Sequence, residues 1–128
     1  MAKQETLYLS QEDLYRIGNS TSSRMAYIRP QEVDLTEIDG ITVILSTGRG
    51  ISLFNKEGLA EAELSGWVYE IKTGTPFPTG LILVEDAKKK GHFFICPAFN
   101  MPYHKYAGLL EELAMLCQKV FKKEKAQL

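Results

Sequence analysis

The stretch LILVEDAKKKGHFFIC, residues 81–96, predicts two paired β-strands joined by a charged tip. Residues 81–84 and 92–96 are apolar and rich in branched and aromatic side chains, which favour strands. Residues 85–91 between them are polar and end in glycine, which is typical of a connection between strands. The last third of the chain is therefore predicted to begin with a β-hairpin.

After the hairpin, an apolar periodicity predicts one long amphipathic C-terminal helix. Pro102 marks its start, because proline is favoured in the first helical turn. The apolar residues at spacings of three and four are Tyr106, Leu109, Leu110, Leu113, Leu116, Cys117, Val120 and Phe121. Lysines between residues 119 and 125 would complement the helix dipole at its C-terminal end. We expect this helix to pack on the core, with a membrane or partner surface as the alternative.

Before the hairpin, shorter elements are separated by turns rich in glycine, proline and small polar residues. Strands are expected over residues 14–17, 41–45 and 67–71, and a short helix around residues 53–63. Leu7 and Leu9 alternate with polar residues and suggest one more short strand. The pattern predicts a mixed α+β fold, with a single domain over residues 1–128.

The composition fits an ordered globular domain and excludes several other classes of protein. The 128 residues are 45% hydrophobic and 24% charged, and no apolar run reaches the ~18 residues of a membrane span. The N-terminus lacks the apolar core of a signal peptide. We therefore expect a cytoplasmic location, and delivery into a target cell by a secretion system that needs no cleaved signal is left open.

The charges and cysteines say little about metals or nucleic acids. A net charge of −1 does not indicate a nucleic-acid partner. Cys96 and Cys117 have no partners at zinc-ligand spacing, so we expect buried free thiols and no metal site. All the arginines lie within the first 49 residues, which is a mild indication of an anionic ligand there, chance being the alternative.

Three segments contain residue types that can carry chemistry. Arg16, at the end of a predicted strand beside a polar loop, can hold a phosphate or lie on the surface. Gly48 and Gly50 allow close approach of a ligand, and Ser52 can bind that ligand or cap the following helix. His92 can act as a ligand contact or general acid/base, or it can be structural.

The same three segments resemble a known family. The stretches are LYRIGNS (14–20), GISLFNKEGL (50–59) and TGTPFPTGLILVEDAKKKGHFFICPAFNMP (73–102). In this order they resemble the ADP-ribosyltransferase-like toxin family of the type VI secretion exported toxin two. The first stretch is also similar to the arginine-bearing first strand of cholera-type ADP-ribosyltransferases. The resemblance implies a small split β-sheet core that clamps NAD in a cleft.

The resemblance also implies roles for individual residues. The residues that it implies as NAD-binding are Tyr15, Arg16, Gly48, Gly50, Ile51 and Ser52. Arg16 would contact the phosphates or the adenosine ribose, and Ser52 would lie by the nicotinamide ribose. The residues that it implies as catalytic are Arg16, Ser52, His92 and Glu85. Glu85 is the best-placed strand acid for the role of the transferase glutamate.

The function that the resemblance implies is a toxin that uses NAD as substrate. Such a toxin would transfer ADP-ribose to a cellular protein or nucleic acid, or degrade NAD, and so inhibit growth. A cognate antitoxin or immunity protein would be expected, and no membrane partner. The alternatives are a non-catalytic binding, immunity or adaptor module of the same fold, and an RNA-acting protein that uses Lys88–Lys90 and the lysine-rich C-terminal tail.

Overall fold

The computed structural model describes residues 8–125, which form two antiparallel β-sheets and two α-helices. The larger sheet contains, in spatial order, β6 (Leu81–Glu85), β7 (His92–Pro97), β4 (Ile51–Phe54), β1 (Leu14–Gly18), β5 (Gly66–Ile71) and β9 (Gln118–Lys123). The smaller sheet contains β2 (Leu35–Ile38), β3 (Ile41–Ile44) and β8 (Met101–Pro102). The helices are α1 (Lys56–Glu61) and α2 (Tyr103–Ala114), and Pro30–Glu32 forms a short 3-10 helix.

The predicted hairpin is confirmed as β6 and β7, which pair antiparallel with Leu83 opposite Ile95. Its tip ends at Gly91, whose φ of 82° favours glycine. A Cβ at Gly91 would also lie 2.7 Å from the backbone nitrogen of Gly58 in α1. The hairpin tip is therefore held against the start of α1, next to the central strands.

The predicted strands near residues 14–17, 41–45 and 67–71 are confirmed as β1, β3 and β5. The helix predicted around residues 53–63 is shorter, because residues 53 and 54 belong to β4. Leu9 forms only an isolated bridge with Pro76, and Leu7 lies outside the described residues. Elements β2, β4 and β8 were not predicted as strands in their own right.

The prediction of a long C-terminal helix is wrong beyond residue 114. Helix α2 begins directly after Pro102, as predicted, and ends at Ala114. Residues 118–123 instead form β9, which pairs with β5 so that Phe121 lies opposite Val68. Val120 and Phe121 are residue types that favour strands. Their helical spacing predicted a helix, but spacing alone does not show that β5 has an unpaired edge with which this segment can pair. Pairing along that edge gives the backbone its hydrogen-bond partners there.

The lysines of this segment therefore do not act at a helix terminus. Lys119 lies over the ring of Trp67, 4.7 Å from its centroid, and donates to the carbonyl oxygen of Ser20. Lys123 donates to the carbonyl oxygens of Ala62 and Leu64. These contacts tie the edge strand to the loops around β5.

The larger sheet buries side chains on both of its faces. On one face, helix α2 contributes Tyr106, Leu109, Leu110 and Leu113 to the main core. The Tyr106 hydroxyl donates to the Ile95 carbonyl oxygen at 2.6 Å and accepts from the Ile51 N–H at 3.2 Å. It thereby joins the helix to β4 and β7.

On the opposite face, a smaller cluster gathers around α1. Its buried members are Tyr15, Phe54, Leu59, Ala62 and Val68. Neither helix in residues 8–125 is long and apolar enough to cross a bilayer. Strands β1 and β4 contribute side chains to both clusters, and β7 contributes to the main core.

Candidate functional site

A cavity of about 460 Å³ opens where β1, β4 and β7 lie next to one another. Its lining residues are Arg16, Ile17, Arg24, Tyr27, Arg29, Ser52, Phe54, Leu64, Ser65, Asp86, Lys89 and His92. The order of the strands explains why segments that are distant in sequence meet here. Three of the predicted catalytic residues, Arg16, Ser52 and His92, are brought together at this cavity.

Strand register sets the direction of the β4 and β7 side chains. Phe54 pairs with His92 and Ser52 pairs with Phe94. Because alternate residues of a strand face opposite sides, Ser52 and Phe54 point away from the core residues Ile51 and Leu53. The sequence GISLF thus places a polar and an aromatic side chain at the cavity.

Arg16 is buried, with 8% of its surface exposed, and it organises the loop that forms one wall of the cavity. Its guanidinium donates to the carbonyl oxygens of Arg24, Tyr27 and Ser52, at distances between 2.9 and 3.3 Å. Burial lowers the pKa of Arg16, but an arginine stays protonated in a protein. Four of its donor hydrogens serve the backbone, so it offers a ligand little more than one hydrogen and its charge.

The loop that Arg16 supports is itself strained. Arg24 has a φ of 58°, in the left-handed region that favours glycine. Its guanidinium carbon lies 4.1 Å above the centroid of the Tyr27 ring. The stacked pair presents a second guanidinium to the cavity in a defined place.

A buried carboxylate, Glu32, links this wall to Ser52. Glu32 accepts hydrogen bonds from the backbone and the guanidinium of Arg29, and from the Ser52 hydroxyl at 3.3 Å. Burial alone would raise the pKa of Glu32, but the bonds from Arg29 and the charge of Arg16 hold it below its ordinary value. Glu32 is therefore ionised at neutral pH and fixes Arg29 and Ser52 in place.

The opposite wall is formed by the tip of the β6–β7 hairpin. His92 Nδ1 lies 2.9 Å from Asp86 Oδ2. The His92 ring packs at 5.3 Å from Phe54 and edge-on at 4.9 Å from Phe94, measured between centroids. Burial would raise the pKa of Asp86, yet the Lys88 N–H and His92 hold it below its ordinary value.

The lining of the cavity carries a net positive charge, and Glu32 behind it offsets part of the charge of Arg29. Arg16, Arg24, Arg29 and Lys89 line the cavity, against the single lining carboxylate of Asp86. Guanidinium forks bind phosphate oxygens in pairs, and a cleft lined by one sign of charge attracts the opposite sign. The arrangement suits a polyanionic ligand with a polar group that reaches Ser52 and His92.

Three predicted NAD-binding residues from the β4 region do not reach the cavity. Ile51 is fully buried in the main core. A Cβ at Gly50 would lie 1.9 Å from the carbonyl oxygen of Ile95, so this glycine is needed for packing against β7. Gly48 lies half-buried in a turn, with a φ of 83°.

Tyr15 and Glu85 are also placed elsewhere. Tyr15 is buried in the smaller cluster, paired with Phe54 in the sheet, and does not line the cavity. Glu85 is exposed at the end of β6, and the neighbouring Asp86 turns into the cavity instead. Ser52 does not cap α1, because the side chain of Asn55 accepts the Gly58 N–H there.

Sequence reasoning missed Glu32, Asp86 and the separate contributions of Arg24 and Arg29. The grouping of arginines in the N-terminal part was the usable signal, since three of them line one cavity. Nothing local marks Glu32 or Asp86, because each depends on a turn that brings it back to another segment. Within residues 8–125, no cluster of three or more histidine, cysteine or acidic residues could hold a metal ion.

Comparison with protein families gives a clear match. The family model described as Tse2 ADP-ribosyltransferase toxin matches residues 11–121. The chain belongs to this family. The match includes every described strand except the last two residues of β9, and it contains all the cavity-lining residues. No curated protein and no solved structure gave a significant match.

Proposed function

We propose that this chain is an NAD-dependent toxin that cleaves the bond between nicotinamide and ribose. The supporting observation is the basic cavity, in which three arginines lie beside Ser52 and His92. NAD is a dinucleotide with a pyrophosphate, which fits this density of guanidinium groups. Membership of the Tse2 ADP-ribosyltransferase toxin family supports the same assignment.

The arginines divide the binding role between them. Arg24 and Arg29 are more exposed than Arg16 and can reach the pyrophosphate with their guanidinium groups. Arg16 contributes its charge and its remaining donor, and holds the loop that carries the other two. In this proposal Ser52 lies by the nicotinamide ribose, where Glu32 orients its hydroxyl.

The chemistry requires stabilisation of a positively charged sugar as nicotinamide leaves. His92 and Asp86 lie at the cavity wall opposite Glu32 and Arg29, where they can contact the ribose and the incoming nucleophile. Glu85 receives no role because it does not line the cavity. Removal of ADP-ribose from NAD, by transfer to a cellular macromolecule or to water, would inhibit growth.

A toxin of this kind requires a neutralising partner in the cell that makes it. We propose a cognate immunity protein or antitoxin whose binding closes the cavity. An acidic surface is the chemistry that would recognise the four basic side chains that line it.

A non-catalytic binding module of the same fold is the second candidate. It is favoured by one observation: among residues 8–125, no glutamate lines the cavity. Such a module would bind NAD or a related polyanion without releasing nicotinamide.

The deciding experiment is nicotinamide release from NAD by the purified chain. We expect release by the parent and by Arg49→Ala, whose exposed arginine pairs with Asp34 outside the cavity. We expect loss in Arg16→Ala and in Ser52→Ala. Melting temperatures of all four proteins separate loss of activity from loss of folding. If Arg16→Ala does not fold, Ser52→Ala still tests the assignment of the site.

Labelled NAD distinguishes the outcomes further. Label that appears as ADP-ribose indicates hydrolysis, and label that precipitates with a macromolecule indicates transfer. NAD binding without nicotinamide release by the folded parent would favour the binding module. Full activity in both cavity variants would overturn the assignment of the site.

A further inference from the structure

The tip of the β6–β7 hairpin holds a histidine and a carboxylate as a fixed pair inside the cavity. His92 Nδ1 lies 2.9 Å from Asp86 Oδ2, and the two side chains are only 15% and 17% exposed. Both residues line the cavity. This pair is the one His–carboxylate contact among the ion pairs of the described chain.

The contacts of Asp86 determine which nitrogen of His92 carries the hydrogen. Asp86 Oδ1 accepts the Lys88 N–H at 2.9 Å, and Oδ2 faces His92 Nδ1. Burial opposes ionisation of Asp86, but these two contacts hold its pKa below the ordinary value, so the group is a carboxylate at neutral pH. A carboxylate only accepts hydrogen bonds, and therefore Nδ1 must donate and Nε2 must carry the lone pair of the neutral ring.

The direction of the His92 ring is also fixed. Phe54 packs against it at 5.3 Å, and Phe94 meets it edge-on at 4.9 Å with an interplanar angle of 84°. No hydrogen bond from residues 8–125 occupies Nε2. In the neutral ring, the lone pair of Nε2 is thus held in a defined orientation at the wall of the cavity.

We propose that Asp86 is a positioning residue that holds His92 as the Nδ1–H tautomer, and that Nε2 of His92 acts as general base toward a hydroxyl nucleophile. The inference rests on the proposed use of NAD. Water is the simplest such nucleophile. As the bond between nicotinamide and ribose C1′ breaks, nicotinamide leaves with the electron pair, the water oxygen bonds to C1′, and its proton passes to Nε2.

The charges of the cavity favour a neutral nucleophile that must lose a proton. Arg16, Arg24, Arg29 and Lys89 would repel a guanidinium or an ammonium acceptor. A carboxylate acceptor would be attracted but would need no base. A hydroxyl group is neutral, so the basic side chains do not repel it. It becomes a strong nucleophile only as its proton is removed, so it needs a general base.

The tautomer can be read directly, because the chain contains only two histidines. Nitrogen-15 labelling of histidine, with His104→Gln to assign the signals, gives the protonated nitrogen of His92 by NMR. In the parent we expect Nδ1–H. In Asp86→Asn the amide oxygen must keep the Lys88 N–H, so the amide NH₂ faces Nδ1 and should reverse the tautomer to Nε2–H.

The activity arm measures formation of ADP-ribose from NAD by the same proteins. We expect Asp86→Asn to lower kcat at least about 100-fold, with KM for NAD changed less than about threefold, because the base is lost and the phosphate contacts remain. His92→Gln should likewise lower kcat and leave KM for NAD nearly unchanged. Asp39→Asn, an equal charge change in an exposed turn, is the matched control and should leave kcat unchanged.

The two ways of failing are distinguishable. A folded parent that releases no nicotinamide would overturn the proposed function, whatever the tautomer. If the enzyme is active but His92 keeps the same tautomer in Asp86→Asn, the positioning role of Asp86 is overturned. An unchanged kcat in Asp86→Asn would overturn it as well. An active enzyme in which Asp86→Asn raised only KM would show that the pair binds NAD and would overturn the general-base role.

Discussion

The two walls of the cavity differ in what holds them together. The arginine wall consists of Arg16, Arg24 and Arg29 with Glu32 behind them, and it is tied to the backbone of three segments. The histidine wall consists of Asp86, Lys89 and His92 on one hairpin tip, and its hydrogen bonds are local. We therefore expect changes to the arginine wall to disturb folding and function together, whereas changes to the histidine wall should affect function with little loss of stability.

The largest effect is expected from Arg16→Ala. It removes the guanidinium hydrogen bonds to the carbonyl oxygens of Arg24, Tyr27 and Ser52, and it removes a charge beside Glu32. We expect the free energy of unfolding to fall on the order of 3 kcal/mol, with loss of nicotinamide release. Chemical denaturation measures the first quantity, and an unchanged midpoint would contradict the structural role of Arg16.

A smaller loss of stability is expected from Glu32→Gln. The variant keeps the shape of the side chain but removes the charge that pairs with Arg29 and attracts Arg16. We expect a loss of roughly 1–3 kcal/mol in the free energy of unfolding, and a weaker hold on Ser52. Glu37→Gln, on the exposed strand β2, is the matched control for the loss of one acid.

The pH dependence of stability should reveal the same carboxylate. The pKa of Glu32 is lowered in the folded chain, so its contribution is present above the ordinary value of 4.5 and is lost as pH falls through the lower folded value. Denaturation midpoints measured from pH 7 down to pH 3 should decline less steeply in Glu32→Gln than in the parent. Equal slopes would show that folding does not lower the pKa of Glu32.

The histidine wall should separate function from stability. We expect His92→Gln to lower the free energy of unfolding by about 1 kcal/mol, less than Arg16→Ala, since the glutamine amide can still donate to Asp86 and the other hydrogen bonds of the hairpin tip are local. Nicotinamide release should fall at least about 100-fold. A large loss of stability in this variant would show that the histidine wall, like the arginine wall, is needed for folding.

The smallest effect is expected from Lys89→Ala. This side chain lies at the cavity rim and acts as a flexible point charge. We expect NAD to bind roughly threefold more weakly, and the difference from the parent should shrink as salt is added. Lys56→Ala, on α1, provides the control for loss of one lysine.

The sequence predicted the parts of the fold that depend on local pattern. The β6–β7 hairpin, β1, β3, β5 and the start of α2 follow from runs of strand-forming residues and from Pro102. Strand β9 could not be predicted, because residues 115–123 keep a helical spacing while their conformation is set by the open edge of β5. Local periodicity carries no information about such a distant edge.

In the site, too, local sequence pattern predicted some residues, and others depend on contacts between distant segments. Arg16, Ser52 and His92 were predicted and meet at the cavity, because each lies on one of three adjacent strands. Asp86 was passed over for Glu85, since the choice depends on where β6 ends and the chain turns. Glu32 reaches Ser52 across 20 positions of sequence, a contact that no spacing rule contains.

The proposed function depends first on whether NAD occupies this cavity. The measurement is a titration of the nitrogen-15 histidine-labelled chain with a hydrolysis-resistant NAD analogue, following both histidines by NMR. Our account predicts that the ring signals of His92 shift in a saturable way, while those of His104, exposed on α2, do not. Saturable binding that left His92 unmoved, or no binding at all, would contradict it.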